Sequence, residues 1–165
     1  YRDMVITLNS ASKTFNLATL LHSHIIITND ELRKTYDRFA SALNRTEVSI
    51  MGMIAAKAGY AYGEEWLGHV LDVVRDNYQY LKEEMNKQLP ELTVCALEGT
   101  YLVMIDLRSY VDTEQLLEFV QKQCRLAVDY GEWFGEAYKG FIRLNLATNP
   151  DYVKQAVERI ITQIN

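Results

Sequence analysis

The sequence predicts an α/β chain whose C-terminal part is an α+β unit. Three observations carry this: two short, branched apolar runs near the start, one long stretch of helical spacing through the middle, and a change of period after Pro90. Residues 4–8 are apolar, and Asn9-Ser10-Ala11-Ser12 follows with turn chemistry, which predicts a buried strand and then a loop. Residues 20–28, centred on Ile25-Ile26-Ile27, predict a second strand, after which Asn29-Asp30 offers a cap for a helix from Glu31. Leu32, Tyr36, Phe39 and Leu43 keep helical spacing, and after a break at Asn44 a second helix is expected over 47–60. Over 63–89, Trp66, Leu67, Val70, Leu71, Val74, Tyr78, Leu81 and Met85 keep one face apolar until Pro90 stops the helix.

In the second half, 92–97 and 101–107 predict strands joined through Glu98-Gly99-Thr100, a turn short enough for an antiparallel pair. Asp112 with Gln115 resembles a capping box ahead of a helical face of Leu116, Leu117, Val120 and Cys124. Residues 126–128 and, more firmly, 141–147 predict further strands, and Asn149-Pro150 opens a last helix carrying Val153, Val157, Ile160, Ile161 and Ile164. This order differs from that of the helix-rich first half and places a domain boundary in the long helix near Tyr80, giving units 1–80 and 81–165.

At 165 residues with 48% hydrophobic and 24% charged side chains, the chain is neither disordered nor fibrous. A net charge of −5 provides no basic field for nucleic acid or an anionic membrane surface. No run approaches the ~18 apolar residues of a membrane span. Cys95 and Cys124, both inside apolar patterns, predict buried thiols in a reducing compartment, with the cytoplasm as the default. The opening Tyr1-Arg2-Asp3 lacks an initiator Met and runs at once into apolar sequence, which predicts a piece of a longer chain.

Lys13 lies in the loop after the first strand, with Ser12 and Thr14 beside it and Ser10 three residues earlier. An amine must lose its proton to attack a carbonyl, and partial burial beside a cation or cofactor favours that state; hydroxyls at 10 and 12 suit a phosphate. A solvated loop lysine has the same short pattern. Arg143 sits where strand alternation puts Phe141, Arg143 and Asn145 on one face and Ile142, Leu144 and Leu146 on the other. There it suits bidentate capture of a carboxylate, or else a surface ion pair with an acid. Tyr101 follows Gly99-Thr100 at a strand entrance, a place for ligand approach or for a core tyrosine. His22 and His24 share a side of the predicted second strand, but no third ligand is near in sequence, so no metal is expected; His69 reads as a helix-surface residue. Core packing accounts for Tyr60, Tyr62, Trp66, Tyr78 and Tyr80.

Four segments in order resemble one family, the fold-type I pyridoxal-phosphate enzymes, in the branch of cystathionine β-lyase-like C–S lyases and class I/II aminotransferases. Ser10-Ala11-Ser12-Lys13-Thr14-Phe15-Asn16-Leu17-Ala18 looks like the Schiff-base lysine motif. Gly63-Glu64-Glu65-Trp66-Leu67 with Asn77 looks like the helix linking the family's two domains, and Glu98-Gly99-Thr100-Tyr101-Leu102 with Ile105-Asp106-Leu107-Arg108 like its small-domain hairpin. Phe134-Gly135 and the stretch 140–147 are similar to the segment that holds the substrate carboxylate.

The resemblance implies the C-terminal portion of a pyridoxal-phosphate-dependent transferase fold: the tail of the large domain and all of the small one. The family's glycine-rich phosphate loop and cofactor-stacking aromatic come from an earlier part of the chain. It further implies Lys13 as the cofactor lysine, Ser10 and Ser12 on the phosphate, and Arg143 and Tyr101 at the amino-acid substrate. The implied activity is a C–S β-lyase releasing thiol, pyruvate and ammonia, with aminotransfer as the alternative and a homodimer as the assembly. A rival of another class is a non-catalytic module that keeps half of the fold; on either reading, this chain alone is expected to be inactive.

Overall fold

An antiparallel strand pair forms early in the chain and a four-stranded antiparallel sheet late in it, with helices between. The computed structural model describes residues 1–44 and 47–165 and divides into two units, Tyr1–Gly68 and His69–Asn165, the division falling inside the long central helix.

In the first unit β1 (Ile6–Asn9) pairs antiparallel with β2 (His24–Ile27) in the register Ile6 to Ile27 and Asn9 to His24. The second strand starts later than the sequence predicts, because Ala18–Leu20 form a tight helical turn closed by Leu21 at φ 50°. Asn29 Oδ1 accepts from the N–H groups of Glu31 and Leu32 and starts α1 (Asp30–Ala42). Ser49 Oγ accepts from Gly52 N–H at 3.1 Å, so α2 (Ile50–Tyr62) also begins later than expected.

Burial in this unit departs from the expectation. All four positions of β1 are exposed, as are Leu32, Tyr36 and Phe39 of α1 and Leu43 just after it. Among the described residues no further strand joins this two-stranded sheet, most of its apolar residues stay open, and the buried hydrophobic residues of the unit are Ala11, Ile27, Ala40 and Ala56.

From Glu64 to Gln88 the chain forms α3, and in the second unit Val74, Leu81 and Met85 of that helix enter the core. The sheet has the order β3 (Thr93–Val94), β4 (Leu102–Asp106), β6 (Phe141–Asn145) and β5 (Asp129–Tyr130). Val103, Ile105, Ile142 and Leu146 are buried and share one core with Val153, Val157 and Ile160 of α5 (Pro150–Ile164). The connection 95–101 is longer than the tight turn expected. Asp112 caps through Glu114 N–H at 2.8 Å and not through a box with Gln115, and α4 (Leu116–Glu118) runs on into a π-helical turn, Phe119–Gln123. The strand expected at 126–128 lies later, at β5, because Arg125 is left-handed at φ 54° and Leu126 N–H is still bonded to the Val120 carbonyl. Among the described residues no helix is long and apolar enough to cross a membrane.

The amide side chain of Asn77 enters this core. Asn77 is 3% exposed, and its Nδ2 donates to the carbonyls of Leu146 and Thr148 at 2.9 and 3.0 Å, tying α3 to the end of β6. Asn77→Ala leaves both carbonyls without that donor, and urea unfolding is expected to show a loss of about 1–3 kcal/mol.

Asp106 accepts from Arg108 Nε at 2.9 Å and Nη2 at 2.6 Å, and these bonds, outweighing partial burial, hold its carboxyl below the usual carboxylate range. A depressed folded-state value stabilises above the unfolded-state value of about 3.9 and is lost as pH falls through the folded one. Urea titrations below about pH 4 are therefore expected to show a shallower acid loss in Asp106→Asn than in the parent.

Candidate active site

Lys13 is carried by a closed turn that follows β1. Phe15 N–H donates to the Ala11 carbonyl at 3.0 Å, Leu17 N–H to the Ser12 carbonyl at 2.9 Å, and Asn16 turns the chain at φ 54°. Ser10 Oγ accepts from Ser12 N–H at 3.1 Å and lies 2.8 Å from Ser12 Oγ and 2.9 Å from the His22 carbonyl. This hydroxyl links the loop to the approach to β2. Ala11 is buried beneath the turn, Ser12 is half-buried, and Lys13 is exposed.

Phe15 explains why the turn is fixed. Its ring lies over two glycines one helical turn apart: a Cβ on Gly59 would meet Phe15 Cδ2 at 2.8 Å, and one on Gly63 would meet Cε1 at 2.6 Å. Tyr60 meets the same ring edge-on at 5.7 Å between centroids, and Trp66 lies 6.3 Å away. The expectation that Tyr60, Tyr62 and Trp66 are core residues is thereby corrected: all three are exposed, and Tyr60 and Trp66 flank Phe15. Tyr78 and Tyr80 do pack, partly buried, against the core of the second unit. The Gly59–Gly63 spacing was visible in the sequence, but nothing there named the ring it receives.

In the second unit, Arg143 and Asp129 are direct cross-strand partners on β6 and β5. Arg143 Nε and Nη2 donate to Asp129 Oδ2 at 3.0 and 2.6 Å, and its Cζ lies 4.3 Å from the Phe134 ring centroid. Arg143 is half-buried, opposite the buried Ile142 and Leu146, as alternation predicts. Sequence reasoning missed Asp129 and its part in the site; once β5 is known to pair with β6, the register identifies it. Tyr101 is partly buried against the core of this unit, and its carbonyl accepts from Leu146 N–H at 2.8 Å.

His22 and His24 stand edge to face with centroids 4.7 Å apart, and the Nε2 atoms of both are buried without a hydrogen-bond partner among the described residues. No group of three His, Cys, Asp or Glu side chains placed to hold a metal occurs among the described residues. His69 is exposed on α3. Both cysteines are free, and burial pushes the Cys124 thiol up to about 11 and the Cys95 thiol upward, which leaves neither poised as a nucleophile.

Residues 1–160 match the family described as aminotransferase class I and II, and the chain belongs to that family. It is 32% identical to protein MalY of Escherichia coli over 95% of this chain and 41% of that protein. It is 26% identical to cystathionine beta-lyase PatB of Bacillus subtilis over 97% of this chain and 42% of that one. The crystal structure of cystalysin from Treponema denticola, described as containing a pyridoxal 5'-phosphate cofactor, superposes with a TM-score of 0.92 at 30% identity over 98% of this chain and 41% of that one. The chain thus has the fold of part of a pyridoxal-phosphate enzyme and spans about two-fifths of the length of the relatives it matches.

The seat of Phe15 is open to test. Gly59→Ala is expected to cost about 1–3 kcal/mol by overpacking the ring. Urea unfolding of Gly59→Ala with Phe15→Ala should show less than the sum of the two single losses, since removing the ring removes the clash.

Proposed function

We propose that the full-length protein is a pyridoxal-phosphate-dependent C–S β-lyase that converts S-substituted cysteines of the cystathionine type, with water, to a thiol, pyruvate and ammonia. The observation that carries the reading is the Ser10–Lys13 turn, in which an exposed lysine follows two mutually bonded serine hydroxyls in sequence, in a chain similar along 97% of its length to a cystathionine beta-lyase. That donor set fits a phosphorylated aldehyde: the amine for a covalent bond to the carbonyl carbon, the hydroxyls for the phosphate oxygens. We place the protein in the cytoplasm as a homodimer, the exposed apolar residues of the first unit supporting an assembled form. The activity is assigned to the whole protein, because this chain spans about two-fifths of the length of its relatives.

Pyridoxal phosphate, when bound, supplies an electron sink for the pair left at Cα. Lys13 would be the residue that holds it through Nζ, and the same amine, when free, would accept the Cα proton as general base. Ser10 and Ser12 would offer their hydroxyls to its phosphate. Arg143 binds the substrate carboxylate through charge-assisted hydrogen bonds, and Tyr101 borders the substrate. The placement of the Lys13 amine would thus decide whether the Cα proton can be taken up.

Lys13→Ala is expected to lower pyruvate release from L-cystathionine by at least about 10²-fold, the lower range of a general-base contribution. Arg143→Ala is expected to raise KM for the amino acid about tenfold or more, by loss of a charge-assisted bond, while cofactor content stays unchanged. Near-normal turnover in Lys13→Ala would overturn the assignment. Amino-group transfer to a keto acid without pyruvate release would replace the lyase by an aminotransferase.

A further inference from the structure

Arg143 already faces one carboxylate. A guanidinium presents five N–H groups in a rigid fork with a side edge, Nε and Nη2, and an end edge, Nη1 and Nη2. Asp129 Oδ2 takes the side edge, at 3.0 Å from Nε and 2.6 Å from Nη2. The Phe134 ring covers one face of the group at 4.3 Å. Among the described residues no acceptor meets Nη1, so the end edge retains its donors.

Three elements converge to make this arrangement. Asp129 is fixed on β5 directly across from Arg143 on β6, and Phe134 follows in the turn Gly131–Phe134. That turn packs tightly: a Cβ on Gly131 would come within 2.1 Å of the Tyr138 carbonyl oxygen and 2.7 Å of Phe141 Cβ. A long side chain that would otherwise sample many rotamers is therefore held from its side and from one face before any ligand arrives.

We propose that Asp129 is the positioning residue for Arg143, holding the guanidinium by its side edge so that the end edge meets the carboxylate of the amino-acid substrate. The inference rests on the reading of Arg143 as the carboxylate anchor and adds how that anchor is aimed. What Asp129 contributes is an acceptor in the right place. Its negative charge opposes the incoming carboxylate, so the amide isostere keeps the aim and removes the opposition.

Ordering a free arginine on binding costs affinity, so Asp129→Ala in the cofactor-loaded full-length protein is expected to raise KM for L-cystathionine about three- to tenfold. Its kcat should stay within about twofold, because Asp129 touches no reacting atom. Asp129→Asn is expected to restore KM to the parent value or below. Calorimetric titration with propionate, a carboxylate without an amine, should show the same order of dissociation constants. Asp129→Ser serves as a second truncation where the alanine variant folds poorly.

An unchanged or lowered KM in the truncations, with Arg143→Ala still raising it, overturns the role of Asp129 alone. A KM in Asp129→Asn as high as in Asp129→Ala overturns it as well. Propionate binding and KM indifferent to Arg143→Ala overturn the carboxylate-anchor reading itself, and with it this inference.

Discussion

Strand β6 must serve two environments at once, and the second unit is organised around that demand. Ile142 and Leu146 are fully buried, while Arg143 between them faces the other way, beside Asp129 and Phe134. β6 lies between β4 and β5, so its backbone is bonded along both edges and its side chains have no freedom to exchange faces. Asn77 then fixes where the strand ends by bonding the Leu146 and Thr148 carbonyls from α3. A charged side chain can be held in a defined orientation here because Ile142 and Leu146 on the opposite face are fully buried.

The first unit solves the corresponding problem without a large core. Its lysine turn is closed by backbone bonds from Phe15 and Leu17, tied to the approach to β2 by Ser10, and seated by the Phe15 ring on Gly59 and Gly63. Glycine spacing on α2 takes the place of bulky packing, since the absent Cβ atoms are what admit the ring. The two units thus hold the candidate site residues Lys13 and Arg143 by different means: the first by a ring over glycines, the second by a sheet register.

Much of this was legible in the sequence, for reasons that also explain what was not. The helices α1, α3 and α5 follow from spacing and caps, with Asn29 and Asn149 capping as their residue types predict. The faces of β6 follow from period-two alternation alone. Burial in the first unit was misread, because apolar periodicity says which residues seek cover and not whether this chain supplies it; Phe39 stays 66% exposed. Strand starts were misplaced at 20 and 126, where left-handed Leu21 and Arg125 break the pattern without a glycine to announce it. Asp129 and Phe15 escaped notice since each acts through a partner distant in sequence, which no local motif records.

Lys13 is proposed to carry the cofactor in an enzyme of the C–S lyase type. The decisive experiment is borohydride reduction of the full-length protein loaded with pyridoxal phosphate, followed by peptide mass mapping. A phosphopyridoxyl label confined to Lys13 is expected. Label on another lysine, or none, would contradict it.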